Sequence, residues 1–246
     1  MVVNVKKQIN IFISAITLLF LSQSVNAAIT LDRTRAIFFE SDGALTISIS
    51  NENKKLPYLA QVWIENEKQE KITTGPIVVT PPLQRLEPQK KSMVFISATP
   101  DAKKLPQDRE SLFYFNLREI PPKSDKKNVL QIALQTKIKL FYRPESLSTR
   151  PDEIWQDNLI LYKVSNGFRI KNPTPYYVTI IGFGVNEKQS KEGKFESIML
   201  SPYSEHVLKA GDGDYKSPWL TYINDYGGRP SIQFNCFERR CTVNKQ

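Results

Sequence analysis

Few residues in this chain are of the types that carry out catalysis. The single histidine, His206, follows Ser204 and Glu205, but no defined nucleophile turn accompanies it. A lone histidine without such a partner is far more often a surface side chain than a general base. The chain also contains no glycine-rich loop of the kind that binds phosphates. We therefore expect no catalytic residue and no cofactor.

Two acidic residues resemble the start of a calcium loop. Asp212 and Asp214 flank a glycine, yet the sixth position of such a loop would be Ser217 and the twelfth Ile223, where Gly and Glu are needed. The segment is therefore predicted to be a turn, and no metal site is expected. Basic residues alternate with acidic ones and no RNA- or DNA-binding motif is present, which argues against a nucleic-acid partner.

Composition places the chain among ordinary globular proteins. It has 246 residues, of which 40% are hydrophobic and 24% charged, so intrinsic disorder and collagen are excluded. The 34 Lys and Arg residues exceed the 25 Asp and Glu residues and give a formal charge of +9. This excess favours acidic or anionic partners without identifying one.

The first 27 residues have the features of a secretory signal peptide. Lys6 and Lys7 precede an apolar stretch over 11–21, and small residues follow at 25–27. A retained membrane anchor is the alternative, but it requires about 20 apolar residues and this run is shorter. Cleavage after Ala27 leaves 246 − 27 = 219 residues with a charge of 9 − 2 = +7, a length that suits two domains. We expect the mature protein not to insert into a membrane.

The two cysteines, Cys236 and Cys241, are separated by only four residues in a chain predicted to be exported. An oxidising compartment favours a disulfide across a short hairpin. A two-cysteine metal site is the rival, but its other ligands are missing.

Hydrophobic alternation with a period of two dominates the chain and predicts β-strands. In the first half it covers 45–49, 58–64, 93–96 and 112–117, with Asn, Pro, Gly and Lys clusters between the segments. A polar, proline-containing break at 143–151 separates these from a second set at 159–162, 167–170, 176–181, 195–200, 219–223 and 231–236. The sequence predicts two all-β sandwich domains, 28–147 and 150–246.

One predicted strand is much longer than the others. It runs over 129–142, 14 residues without a breaker, and would span roughly 46 Å. Leu130, Ile132 and Leu134 share one parity with Ile138 and Leu140, whereas lysines occupy the other parity. Composition alone favours an ordinary core strand, but the length favours an overhang that presents the first three apolar side chains to a partner.

A series of motifs along the mature chain resembles the periplasmic chaperones of the chaperone–usher pilus pathway. The motifs are Asp32-Arg33-Thr34-Arg35, Leu56-Pro57-Tyr58, Thr80-Pro81-Pro82, Asp108-Arg109-Glu110-Ser111-Leu112, Lys137-Ile138-Lys139-Leu140-Phe141-Tyr142-Arg143-Pro144, Asn172-Pro173-Thr174-Pro175-Tyr176 and Ile223-Asn224-Asp225-Tyr226-Gly227-Gly228. The resemblance implies two immunoglobulin-like sandwich domains in an L-shaped arrangement with an interdomain cleft, in a protein of the periplasm. The implied partners are pilus subunits, both pilins and adhesin, and an outer-membrane usher.

The same resemblance assigns roles to particular residues. Leu130, Ile132 and Leu134 would lend the missing strand to an incomplete subunit sandwich, a form of β-strand addition. Arg35 and Lys139 would anchor the terminal carboxylate of the subunit in the cleft, where charge-assisted hydrogen bonds are strong. An ionic network would tie the two domains together, formed by Glu110, Arg143 and Asp225.

A different class of function also fits the composition. An exported two-domain adhesin or carbohydrate-binding module would use exposed aromatic side chains as its contact surface. The candidates are Trp155, Tyr176, Tyr177 and Trp219.

Overall fold

The structure is a computed structural model that describes residues 28–125, 128–147, 153–209 and 215–244. The predicted signal peptide, 1–27, and the predicted turn with Asp212 and Asp214 lie outside these residues. Within the described part of the chain, no helix is long and apolar enough to cross a membrane.

The described residues form eighteen strands and one short α-helix. Those of the first half are β1 (Ile29–Leu31), β2 (Arg35–Phe39), β3 (Ala44–Asn51), β4 (Tyr58–Glu65), β5 (Lys71–Ile72), β6 (Ile77–Thr80), β7 (Leu83–Leu86), β8 (Lys91–Ala98), β9 (Ser111–Ile120) and β10 (Gln135–Arg143). Those of the second half are β11 (Ile160–Val164), β12 (Gly167–Lys171), β13 (Val178–Gly184), α1 (Glu187–Glu192), β14 (Ile198–Leu200), β15 (Glu205–Lys209), β16 (Trp219–Ile223), β17 (Ser231–Phe237) and β18 (Arg240–Val243). Single-turn 3-10 helices cover Glu40–Asp42, Pro100–Lys104, Glu145–Leu147 and Trp155–Asn158.

The N-terminal domain is a sandwich of two sheets. One sheet has the strand order β1-β3-β8-β6, and the other has the order β2-β10-β9-β4-β5, with β7 paired to β4. Alternation buries every second residue, as in β3, where Ile47 and Ile49 are fully buried. The two inner faces share one core, which includes Phe38, Phe115 and Leu140.

The C-terminal domain is built from a single eight-stranded path, β14-β13-β16-β17-β18-β11-β12-β15. Strand β17 pairs with β16 through its first residues, Ser231–Gln233, and with β18 through its last, Phe234–Phe237. One buried cluster contains side chains from both parts of this path, among them Leu161, Ile180 and Leu220. The strands therefore enclose a second hydrophobic core, and the prediction of two all-β sandwich domains is confirmed.

The long strand predicted over 129–142 is shorter in the structure. Strand β10 begins at Gln135, and the last backbone bond on its N-terminal side runs from the Glu119 N–H to the Leu134 carbonyl, at 3.0 Å. The neighbouring strand β9 ends at Ile120, where two prolines follow. Within the part of the chain that the structure describes, residues 129–133 therefore have no neighbouring strand with which to form a ladder, and hydrophobic alternation alone could not reveal this.

Cys236 and Cys241 form a disulfide between β17 and β18, with their Cα atoms 3.9 Å apart. They are directly opposite each other in the antiparallel register. The bridge therefore closes a hairpin whose strands are already paired.

Replacing both cysteines with alanine should lower the free energy of unfolding by about 2 kcal/mol, because the bridge closes only a short loop in the unfolded chain. Urea denaturation of the purified variant measures this change. The wild-type protein with its disulfide reduced is the control and should show the same loss. A variant as stable as the oxidised wild-type protein would contradict the prediction.

Candidate functional site

Strand β10 turns one face of its C-terminal half toward the second domain. Alternation along the strand places Lys139, Phe141 and Arg143 on this face. The Phe141 ring lies 5.6 Å from the ring of Tyr177, measured between centroids. Lys139 and Arg143 also contact residues of the second domain, so this short segment carries much of the contact between the domains.

The three residues predicted to form an ionic network are brought together at this boundary. Arg143 donates from Nε and Nη2 to Glu110 Oε1, at 2.9 and 2.5 Å, and its Nη2 lies 3.1 Å from Asp225 Oδ2. The Arg143 side chain is 1% exposed, and its guanidinium lies about 5 Å from the centroids of three aromatic rings, those of Phe39, Trp155 and Tyr176. The charge of Arg143 is thus buried, paired and surrounded by ring faces.

Glu110 joins the domains through its backbone as well as its side chain. Its N–H donates to the Pro175 carbonyl at 2.9 Å, and its Oε2 accepts from the Tyr177 N–H at 2.8 Å. Burial raises the pKa of Glu110 to about 7, and this rise is opposed by Arg143 and by the Tyr177 N–H. The carboxyl group therefore has donors for both of its oxygens, two from Arg143 of its own domain and one from Tyr177 of the other.

Arg35 and Lys139 are adjacent across the parallel pair β2 and β10. Arg35 Nη1 donates to the Ile223 carbonyl at 3.2 Å, and Lys139 Nζ donates to Thr179 Oγ1 at 3.4 Å. Ile223 and Thr179 are themselves opposite each other in β16 and β13. The two cations therefore meet the second domain at the same point of its sheet.

Burial and mutual repulsion both act on these two cations. Burial lowers the pKa of both groups, Asp225 and Glu110 partly oppose this for Arg35, and the charge of Arg35 lowers the pKa of Lys139 further. In the described part of the chain, neither has a carboxylate within 4.0 Å, whereas nearby Lys137 pairs with Glu65 at 2.7 Å. Two half-buried positive charges without a paired anion form a site that can hold a carboxylate.

The residues predicted to form the lent strand are exposed. Leu130 is 85% exposed, Ile132 64% and Leu134 40%, although Ile138 and Leu140, of the same parity, are buried in the core. The overhang thus continues the apolar side of β10 beyond the sandwich. Exposed apolar side chains in a row of this kind indicate an interaction site.

Sequence reasoning did not place Thr179 or Tyr177 in the cleft, and it considered Tyr177 only as an aromatic of the adhesin alternative. Both lie within the predicted segment 176–181 and share one face of it, which is the one signal that the sequence offered. Their contacts with Lys139 and Phe141 depend on how the two domains meet, which a strand pattern does not contain.

The aromatic residues of the adhesin alternative do not form an exposed platform. Trp155 and Tyr176 are buried, with their ring centroids 4.6 Å apart, and both lie against Arg143. His206 lies exposed on β15, as predicted for a surface side chain. Among the described residues, no three His, Cys, Asp or Glu side chains are grouped as a metal site would require.

Fold and cleft together define a class of protein: two immunoglobulin-like domains, with a cation pair between them and an apolar strand extension beside it. The sequence matches two family models, the N-terminal domain of the PapD pili and flagellar-assembly chaperones over residues 28–148 and the C-terminal domain of the PapD pili-assembly chaperones over 154–234. The chain belongs to this family of pilus-assembly chaperones, which act in the periplasm.

Individual relatives agree with the family models. The chain is 65% identical over 228 residues to the chaperone protein PapD of Escherichia coli, covering 93% of this chain and 95% of that protein. It is 40% identical to the chaperone protein PmfD of Proteus mirabilis, covering 95% and 93% of the two chains. The crystal structure of the periplasmic chaperone SfaE superposes with a TM-score of 0.65 at 30% identity, covering 82% of this chain and 95% of that one.

Replacing Arg143 with alanine should lower the free energy of unfolding by about 3–5 kcal/mol, because the carboxylate of Glu110 would remain buried without its partner. The matched control is Arg85→Ala, whose side chain is 63% exposed in its pair with Glu87 and should change stability by at most about 1 kcal/mol. Urea denaturation followed by circular dichroism measures both. Equal, small effects of the two substitutions would contradict the structural role of the buried cluster.

Proposed function

We propose that this chaperone captures each pilus subunit by lending it the segment 129–134 as a β-strand, with Arg35 and Lys139 holding the subunit's terminal carboxylate. The observation that carries the proposal is that the exposed apolar overhang leads directly into β10, on which Lys139 lies beside Arg35 of β2. The segment 28–147 would be the subunit-binding domain.

The overhang suits β-strand addition to an incomplete sandwich. Residues 129–133 pair with none of the described strands, so their backbone groups are available to pair with a partner. Alternating side chains would then enter the hydrophobic groove of the subunit, with main-chain bonds giving affinity and pockets giving specificity. Burying each of Leu130, Ile132 and Leu134 would contribute about 1.5–3 kcal/mol before the costs of ordering the segment.

The cation pair supports a fixed register between chaperone and subunit. Lys139 is five residues from Leu134 and nine from Leu130, distances of about 16 and 30 Å along an extended strand. A carboxylate held by Lys139 and Arg35 would therefore determine which groove pocket each apolar side chain enters. Two charges brought together in advance favour an anion there because binding relieves their repulsion.

Capture in this scheme needs neither catalysis nor ATP, because groove burial and strand pairing supply the free energy. The chaperone would protect the exposed groove of a subunit from aggregation in the periplasm and pass the subunit to an outer-membrane usher. A carbohydrate-binding function has no comparable support, since two of its four candidate aromatics are buried against Arg143.

Replacing Leu130, Ile132 and Leu134 together with serine should abolish the recovery of soluble subunits without unfolding the chaperone, since these side chains are outside its own core. The readouts are co-purification of coexpressed pilus subunits from the periplasm and thermal melting of the free variant. The matched control is Ile138→Ser, of the same parity but 6% exposed, which should lower the melting temperature. If the melting temperature of the triple variant falls as far as that of Ile138→Ser, these side chains belong to the chaperone's core and the strand assignment is wrong.

Replacing either Arg35 or Lys139 with alanine should weaken binding of a subunit-derived C-terminal peptide roughly 10- to 150-fold, through loss of charge-assisted bonds worth about 1.5–3 kcal/mol each. Isothermal titration measures the affinity. Amidating the peptide's terminus should weaken its binding to the wild-type chaperone and have little further effect on the double variant. If amidation weakens peptide binding equally for the wild-type chaperone and the double variant, the carboxylate is bound elsewhere.

A further inference from the structure

A fully exposed aromatic side chain lies on the loop that borders the cation pair. Tyr226 is 94% exposed and sits between β16 and β17, immediately after Asp225 of the buried ion cluster. An aromatic ring left in water at such a position gains nothing for the free protein, whereas aromatic side chains are favoured contact residues in interfaces.

The loop that carries Tyr226 is held rigidly. The Asn224 side-chain oxygen accepts from the backbone N–H groups of Tyr226 and Gly228, at 3.2 and 2.7 Å, and backbone bonds link Asn224 to Gly227 and Gly228. Asn side chains stabilise turns in this way. Because the loop is already ordered, a contact made by the ring would cost little further entropy on binding.

The residues before and after Tyr226 contact the first domain beside the cation pair. The Ile223 carbonyl accepts from Arg35, and Asp225 pairs with Arg143. On the other side Gly227, with a φ of +82°, approaches Thr34 so closely that an added Cβ would lie 2.8 Å from its hydroxyl oxygen. Three residues of extended chain span at most about 10 Å, so the backbone of Tyr226 lies close to Ile223, whose carbonyl Arg35 contacts.

The local charge limits what the ring can contact. Arg35 and Lys139 make the site positive, while Asp225 is engaged by Arg143. A cationic side chain next to the bound carboxylate would be repelled by this pair, whereas an apolar or aromatic one would pack on the ring.

We propose that Tyr226 contacts the bound pilus subunit directly and selects an apolar side chain at the subunit's C-terminal residue. The inference rests on the proposed function, because the terminal carboxylate held by Arg35 and Lys139 brings that last side chain to the loop. Tyr226 is thus a specificity-determining residue on the second domain, and the overhang and cation pair lie on the first.

The test uses the full-length mature chaperone and a series of synthetic peptides. The parent peptide has the sequence of about 16 C-terminal residues of a pilus subunit that co-purifies with the chaperone, and the series differs only in the last residue, which is Leu, Phe, Ala or Lys. Wild-type protein should bind the Leu and Phe peptides about 5- to 20-fold more tightly than the Ala and Lys peptides. Tyr226→Ala should lose this preference, and Tyr226→Phe should keep it.

A matched control separates a direct contact from a general effect of surface aromatics. Phe237 is 80% exposed and lies at the far end of β17, about 20 Å along the strand from Ser231, where the loop ends. Phe237→Ala should leave all affinities unchanged. Thermal melting of both alanine variants should match wild type, because neither side chain is packed.

The outcomes distinguish this inference from the proposed function. If Arg35→Ala weakens binding of every peptide while Tyr226→Ala retains the preference for Leu and Phe, the role of Tyr226 is refuted and the anchor stands. Absence of any last-residue preference in the wild-type protein would also refute it. If the wild-type protein binds none of the peptides, or Arg35→Ala binds them as wild type does, the carboxylate anchor and the role of Tyr226 fail together.

Discussion

The buried ion cluster around Arg143 is the interaction on which the cleft depends. Its guanidinium is paired with one carboxylate from its own domain and one from the other, and lies among three aromatic rings. Removing water from such charges is costly, and the cost is offset only while both partners remain in place. A rotation of one domain relative to the other would separate Asp225 from Arg143 and leave charge without a partner. The cluster therefore favours one relative placement of the domains.

That placement has consequences along the whole of strand β10. Phe141, two positions before Arg143, packs against the tilted ring of Tyr177, and Lys139, four positions before it, donates to Thr179. Farther along, the strand leaves the sandwich and its apolar side chains become exposed. Interdomain contacts, cation pair and exposed overhang thus follow one another along one continuous segment of the chain, and the first two lie in its hydrogen-bonded part.

Strands that are half buried could be predicted from the sequence because alternation reports burial on one face. Strands β3, β4, β8 and β9 were found in this way. Hydrophobic alternation could not predict two kinds of feature. Alternation continues through 129–134 whether or not a neighbouring strand is present, so the true start of β10 was missed. Short edge strands such as β15 carry mostly exposed residues and left no pattern.

The candidate site was accessible to sequence reasoning only in part. Taken as single charges, Arg35 and Lys139 do not differ from other surface cations, and the family motifs were what singled them out. The structure adds the physical difference, namely that Lys137 has an acidic partner at 2.7 Å while Lys139 has a hydroxyl. Tyr226 lies within one of the family motifs, but its exposure beside the cation pair could not be predicted, because that position follows from contacts between the domains.

Parity along β10 places a limit on how the chain can change in length. The segment between Leu134 and Lys139 contains four residues, and the core side chain of Ile138 lies on the same face as the exposed leucines. Inserting or deleting one residue there would turn every apolar side chain of the overhang to the opposite face while the cation pair stayed where it is. Inserting or deleting two residues would keep the apolar side chains on the same face and shift them by about 7 Å relative to the cation pair. The length of this segment can therefore vary only in steps of two, and each step would require a subunit groove of matching length.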